Sequence, residues 1–162
     1  MTRRRHTLPS AIRTAASIAV VLTAVVIASP ASAQNPDWRV VENPYQEDIE
    51  YTIGATHTPR VEVENVRWHS FTIESPDPDL LRERETVDIS VALEFENRGT
   101  KSAKILLILL LEDADGNPLD RIEAKQFKLA SGRLKERNET ANLPSEVIRS
   151  TRRVYAFFEI LH

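Results

Sequence analysis

Residues 86–97 read TVDISVALEFEN, and this stretch decides the fold class. Every second position from 87 to 95 carries an apolar side chain, namely Val87, Ile89, Val91, Leu93 and Phe95. Successive side chains of an extended strand point to opposite faces, so this alternation is typical of a half-buried antiparallel strand. We therefore predict a strand over the whole stretch.

The next stretch, residues 103–112 (AKILLILLLE), contains seven consecutive Leu or Ile residues at 105–111. A turn at 97–100 precedes it, and the hairpin sequence DADGNP at 113–118 follows it, where Asp-Gly supplies positive φ at low cost. A run this short between two turns indicates a strand covered on both faces. We expect residues 119–129 to return beside it as its hairpin partner.

Upstream of this pair, residues 60–66 alternate with Val61, Val63 and Val66 on one side, and residues 68–74 continue as a strand. The two prolines in 75–79 interrupt the pattern because they remove backbone donors. We expect residues 80–85 to form a charged connection.

Downstream, Ser131-Gly132 indicates a turn, and residues 133–141 are predicted to form an edge strand. The last strand is predicted at 149–161. Its inner face would carry Val154, Ala156, Phe158 and Ile160.

Short strands, turn signals at intervals of roughly ten residues and little helical periodicity predict an all-β chain. We expect an immunoglobulin-like antiparallel β-sandwich of about seven strands in residues 60–162. Residues 34–59 are polar and punctuated by proline and glycine, so we predict an extended polar arm there rather than a further domain.

Residues 1–33 have the layout of a cleaved secretory signal peptide. Four arginines precede an apolar run at 15–28, and Ala31-Ser32-Ala33 fits an A-x-A cleavage site. The run is shorter than the roughly 20 apolar residues that a membrane-spanning helix needs. We predict export by the Sec route, a periplasmic or secreted location and no stable membrane insertion after cleavage.

Charge and cysteine content narrow the function further. The net charge is −3, and removing the leader leaves 17 basic against 24 acidic residues, a net charge of −7. This balance argues against a nucleic-acid partner, whose phosphates require a basic surface. The chain has no cysteine, which excludes disulfides, cysteine zinc sites and a lipid-modified N-terminal cysteine.

The residues of common catalytic and metal sites are sparse. Adjacent residues on a regular strand point to opposite faces, so we expect His69 and Ser70 not to pair as a base and a nucleophile. Asp113, Asp115 and Asn117 lack the spacing of a calcium loop and are explained by a hairpin turn. We predict no catalytic residue, no metal site and no cofactor.

The second apolar face of residues 105–111 requires a cover. We predict a partner-binding face formed by Leu107, Leu109 and Leu111. Two segments of the chain could cover it instead: the arm, with Trp38 and Tyr51, or residues 134–143. A second molecule is the remaining possibility.

Several of these segments resemble the FxLYD-type and related immunoglobulin-like domains of exported bacterial proteins. The resemblance lies in VALEFEN at 91–97, RGTK at 98–101, LEDADG at 111–116, LASG at 129–132 and YAFF at 155–158. It implies a binding or accessory module without a common active site. The segment between Gly132 and Arg149 is longer and more charged than in that family.

The sequence therefore predicts a non-enzymatic exported module of the bacterial cell envelope that acts through protein–protein recognition. Its partner would be an unidentified envelope protein or a second copy of the chain. The alternative is a small exported hydrolase that processes glycans with dispersed carboxylates.

Overall fold

A computed structural model describes residues 38–74 and 76–161. Its described part contains ten strands and two short helices. In chain order these are β1 (Arg39–Val40), β2 (Tyr45–Glu50), β3 (Thr56–His57), β4 (Val61–Val63), β5 (Val66–Ile73), α1 (Pro78–Glu83), β6 (Thr86–Asn97), β7 (Ala103–Glu112), β8 (Pro118–Leu129), β9 (Leu134–Pro144), α2 (Ser145–Ser150) and β10 (Arg153–Leu161).

The strands form two sheets. Sheet A has the order β1-β4-β5-β6-β9, with β3 also paired to β5, and sheet B has the order β2-β10-β7-β8. The β1–β4 pair is parallel and the other pairs are antiparallel. The prediction of an all-β sandwich is confirmed, and seven of the ten described strands are six residues or longer, close to the expected number.

The core lies between the sheets and centres on Trp68. Its ring lies 5.3 Å from that of Phe71 and 6.0 Å from that of Phe95 in sheet A, and 5.8 Å from that of Phe158 in sheet B (centroid to centroid). All four side chains are fully buried. Aromatic pairs at these separations contribute about 0.5–1.5 kcal/mol each beyond their buried area, so this cluster joins the two sheets.

The two strands read from residues 86–97 and 103–112 form with the predicted bounds. β6 lies in sheet A between β5 and β9, and β7 lies in sheet B between β10 and β8. The five alternating apolar residues of β6 are all buried, as expected. The predicted hairpin partner of β7 and the predicted edge strand are also present, as β8 and β9.

The prediction of an extended polar arm at residues 34–59 is wrong for its described part. β2 pairs along its length with β10, and Tyr45, Ile49 and Tyr51 are buried in the core. Asn43 fixes the entry to this strand, because its side-chain amide donates to the carbonyl of Ile160 at 2.8 Å and its Oδ1 accepts from the Ile160 N–H at 3.0 Å. The period-two spacing of Tyr45, Ile49 and Tyr51 was a strand signal obscured by the acidic residues between them.

Three local features also differ from expectation. A two-residue turn with positive φ at Glu64 and Asn65 divides the strand predicted at 60–66, which is the geometry of a tight hairpin. The predicted charged connection is largely helix α1, where the Asp77 side chain accepts from the Asp79 N–H at 2.9 Å. Helix α2 occupies the start of the last predicted strand.

The predicted signal peptide at residues 1–33 lies outside the described residues. Within the described part of the chain, neither helix is long and apolar enough to cross a membrane.

Candidate interaction surface

The predicted partner-binding residues lie in the core. Leu107, Leu109 and Leu111 are 1%, 1% and 0% exposed, because they point from β7 towards sheet A. They cannot form a partner-binding face in this fold, so the prediction chose the wrong side of the strand. Exposed Lys104 shares the parity of Leu106, Ile108 and Leu110, and this charge was the signal that the even-numbered side faces outward. Glu112, at the other end of the strand, is buried after a register shift and gives no such signal.

The outer side of sheet B carries a continuous apolar strip. Leu110 pairs in register with Tyr155 of β10, and Ile108 pairs with Phe157. We name as the apolar stripe the five residues Leu106, Ile108, Leu110, Tyr155 and Phe157. All five are half-buried, and none belongs to the core or to the partly buried hydrophobic residues that pack against it.

In residues 38–59 and 134–143, the described parts of the two covers proposed from the sequence, no segment lies on this stripe. Trp38 lies on the outer side of sheet A, with its ring 4.6 Å from the Arg67 guanidinium carbon and 4.6 Å from the His69 ring. Tyr51 is in the core, where it stacks on Phe71 at 5.1 Å. Residues 134–143 form most of β9, which pairs with β6 in sheet A. The expectation that one of these segments covers β7 is therefore wrong.

Charged strands of opposite sign border the stripe. On the β2 side the outward residues are Gln46, Asp48 and Glu50. On the β8 side they include Arg121, Glu123, Lys125 and Lys128. The outer face of sheet B thus has an apolar centre, an acidic border and a net basic border.

Two polar contacts join β10 to the acidic border on β2. The Tyr155 hydroxyl donates to Gln46 Oε1. This hydrogen bond directs the Tyr155 side chain from β10 towards the neighbouring strand β2. The Arg153 guanidinium lies 3.5 Å from Asp48 Oδ2. Tyrosine combines a large apolar ring with a polar end, which is why it is enriched in protein interfaces.

The outer face of sheet A is polar by comparison. The Arg67 Nε donates to Glu62 Oε2 at 2.8 Å, and its guanidinium also lies 3.8 Å from Glu96. His69 Nε2 lies 3.4 Å from the same Glu96 carboxylate. The opposite charges of this cluster compensate one another beside Trp38. The outer face of sheet A therefore resembles an ordinary solvated sheet surface, whereas the outer face of sheet B carries the apolar stripe.

The expected opposition of His69 and Ser70 does not occur. The β5–β6 register shifts between Trp68 and Ser70, and this bulge leaves both side chains on the outer side of sheet A. Each contacts a different carboxylate: the Ser70 hydroxyl donates to Glu94 at 3.3 Å, and His69 contacts Glu96. These contacts do not assemble a serine, a histidine and an acid into one relay.

The hairpin acids bind their own turn. Asp113 Oδ1 accepts from the N–H groups of Asp115 and Asn117, and its Oδ2 accepts from the Asn117 amide, all at 2.9 Å. The hydrogen bonds from Asn117 are the main reason that the pKa of Asp113 lies below its usual value. Among residues 38–74 and 76–161, no group of three His, Asp or Glu residues could hold a metal ion.

Paired carboxylates, the basis of the hydrolase alternative, occur on sheet A. Glu94 and Glu136 are directly opposite each other on β6 and β9, beside a shallow hollow of about 150 Å³. Pockets that bind small molecules usually measure about 300–1,000 Å³. A larger, open hollow of about 670 Å³ contains Asp48 and Glu50 beside Arg152 and Arg153.

Comparison with known proteins adds little to this surface. No protein-family model matches the chain, and no curated protein matches its sequence. Among solved structures, the RGD-containing host-selective toxin Ptr ToxA of Pyrenophora tritici-repentis is similar over 78% of this chain and 98% of the toxin chain. The sequence identity is 13% and the TM-score is 0.35, values at which the likeness supports no inference about function.

Proposed function

We propose that this protein is a non-enzymatic, exported module of the bacterial cell envelope that binds another protein chain through the apolar stripe of sheet B. The proposal rests on the half-buried apolar stripe, which lies on the outer side of sheet B between charged borders. The signal-like leader and the negative charge of the remaining chain support an extracytoplasmic location.

The stripe can supply a useful part of a binding free energy. Full burial of a large apolar side chain contributes about 1.5–3 kcal/mol, and the five side chains are already partly buried. Completing their burial would contribute about 5 kcal/mol before the costs of association. Such a surface suits a reversible complex, in which the charged residues that border the stripe also contribute to the binding free energy.

The face is a better candidate than the strand edges. β9 is the long free edge of sheet A, and it carries charges at Lys135, Glu136, Arg137 and Glu139. Charged residues on an edge oppose the addition of another strand. β8, an edge of sheet B, is interrupted by a register shift opposite Ile105 and Leu107. Neither of these two long edges is a regular template for strand addition, and β2, the other edge of sheet B, has six residues with acidic outward side chains at Asp48 and Glu50.

A site-specific crosslinking experiment tests the proposal. A photoreactive residue is placed at Ile108 in the stripe or, as a matched control, at Leu134, which is 56% exposed on β9. We expect a discrete crosslinked species in the intact envelope from position 108 and not from position 134. The same species should be lost when Leu110→Asn is added to the position-108 protein.

Equal crosslinking from both positions would contradict recognition through the stripe. The absence of any species from position 108, in a protein shown to be folded, would contradict it as well.

The hydrolase alternative receives less support. The Glu94–Glu136 hollow is smaller than a usual ligand pocket, and in the larger hollow Asp48 is ion-paired with Arg153. We therefore base the proposal on recognition.

A further inference from the structure

We infer that the occupant of the apolar stripe is a second copy of this chain, packed face to face on sheet B about a two-fold axis that runs along the strands. The inference rests on the proposed function, because it requires the stripe to be an interaction surface. It names the partner that the proposed function leaves open.

The borders of sheet B are complementary in charge. The outward residues of β2 include two acids, Asp48 and Glu50, and no base. Those of β8 include three bases, Arg121, Lys125 and Lys128, and one acid, Glu123. Such a surface is self-complementary: when a second copy is rotated to face the first, the negative border of each copy can lie against the positive border of the other.

The strand order determines how it must be turned. Sheet B has the order β2-β10-β7-β8, with the stripe on the two central strands. A two-fold axis along the strands reverses this order across the interface, so that β2 faces β8 and β10 faces β7. An axis across the strands would place β2 against β2 and β8 against β8, with like charges opposed. The charges therefore select the first arrangement, a closed symmetric dimer.

The strand register identifies a specific contact. Asp48 pairs with Tyr155, Tyr155 with Leu110, and Leu110 with Arg121, so these four residues form one row across the sheet. An axis along the strands keeps each row at its own level. Asp48 of one copy then faces Arg121 of the other, and the contact occurs twice in the dimer. The two side chains are 52% and 66% exposed. Within one chain Asp48 lies 3.5 Å from Arg153, and Arg121 lies 3.1 Å from Glu123, so the contact across the interface would join these two ion pairs into one network.

The area of the face fits a reversible dimer. Four strands at about 4.8 Å spacing, each about nine residues long at roughly 3.3 Å per residue, cover roughly 570 Å² per copy. A standard interface buries about 800 Å² per partner. A face smaller than the standard size favours a weak, reversible dimer over an obligate one, so we expect dissociation in the micromolar range.

Sedimentation equilibrium tests the inference on protein purified after export of the full chain. We expect concentration-dependent dimerisation. Asp48→Arg and Arg121→Asp should each weaken it by about tenfold or more, through lost attraction and new repulsion. The double variant should dimerise more tightly than either single variant, because the reversed charges face each other again; its recovery is incomplete because each new charge lies beside a like charge of its own chain, Arg153 or Glu123. Leu134→Asn, on sheet A, should leave the dimer unchanged.

The outcomes separate this inference from the proposed function. A protein that stays monomeric at millimolar concentration overturns the second-copy inference, as does a dimer that the two single charge reversals leave intact. If the monomeric protein still crosslinks from position 108 to a chain of different mass, the proposed function stands and the partner is a different protein. A crosslinked species of twice the mass of one chain supports both. Urea midpoints of each variant, measured at submicromolar concentration, exclude misfolding as the cause.

Discussion

Asn97, at the end of β6, binds three backbone groups from one buried position. Its side-chain amide donates to the carbonyls of Lys101 at 2.9 Å and Leu129 at 3.0 Å, and its Oδ1 accepts from the Gly99 N–H at 2.9 Å. It is 1% exposed. One side chain thus joins the β6–β7 turn to the end of β8 in the other sheet.

Replacing this side chain should be costly. Asn97→Ala leaves buried backbone groups without partners, and each such group costs about 1–3 kcal/mol, so we expect a loss of about 3 kcal/mol in the free energy of unfolding. Urea denaturation measures it. The matched control is Asn142→Ala, which removes an exposed amide that donates to Asp88 at 2.8 Å and should change stability by less than about 0.5 kcal/mol. Equal effects of the two substitutions would contradict the role given to Asn97.

His57 should make stability depend on pH in the acidic range. Burial, including the Phe71 ring at 5.3 Å, lowers the pKa of His57 below its usual value of 6.5; Glu47 opposes this shift and Arg39 adds to it. A histidine with a lower pKa in the folded state stabilises the fold above pH 6.5, and this contribution is lost as the pH falls through 6.5 towards the folded-state pKa.

The measurement is the free energy of unfolding of the wild-type protein and of His57→Gln between pH 8 and pH 5. We expect the wild-type protein to lose more stability than the variant over this interval. Parallel pH profiles would show that His57 does not contribute to the dependence.

At the scale of elements, β2 shows that the N-terminal part of the described chain is structural. Ile49 is 5% exposed in the core, whereas Glu50 beside it points outward and is exposed. Ile49→Ala should lower the free energy of unfolding by about 3 kcal/mol, the usual range for such a truncation being about 2–5 kcal/mol. Glu50→Ala, the control in the same strand, should stay within about 0.5 kcal/mol of the original protein. An Ile49→Ala protein as stable as the control would mean that β2 is a loosely attached arm.

The strands and helices differ in how accurately the sequence predicts them, and the differences have physical causes. The first and last residues of β6 and β7 could be predicted because each strand is long and bounded by strong turn signals. α1 and α2 have six residues each, too few for a helical period to appear. The Asp77 side chain caps α1, whereas α2 has no side-chain cap. The outward side of β7 could not be predicted from seven similar residues alone, since only the charge of Lys104 at its start distinguishes the two faces. The bulge at His69 and Ser70 depends on pairing with β6, which local sequence does not encode.

The whole molecule should unfold as one unit. Both sheets belong to a single compact unit, and Trp68 contacts aromatic rings from both. In a Trp38→Phe variant, fluorescence reports Trp68 alone, because the chain has two tryptophans. We expect this signal and far-ultraviolet circular dichroism to give coincident urea transitions. Separate midpoints would show that the sheets unfold independently.

The pairing of β2 with β10 also constrains when the molecule can fold. It joins residues 45–50 to residues 153–158, nearly the full length of the described chain. If the chain crosses a membrane N-terminus first, β2 emerges early, and β10, the strand with which it pairs in the described part of the chain, emerges much later. A chain that stops before Arg153 should therefore remain sensitive to protease, since sheet B lacks the strand between β2 and β7. Because the pairing of β2 must wait for β10, sheet B cannot close early, and the polypeptide stays unfolded enough to pass through a narrow channel until residues 153–158 have crossed.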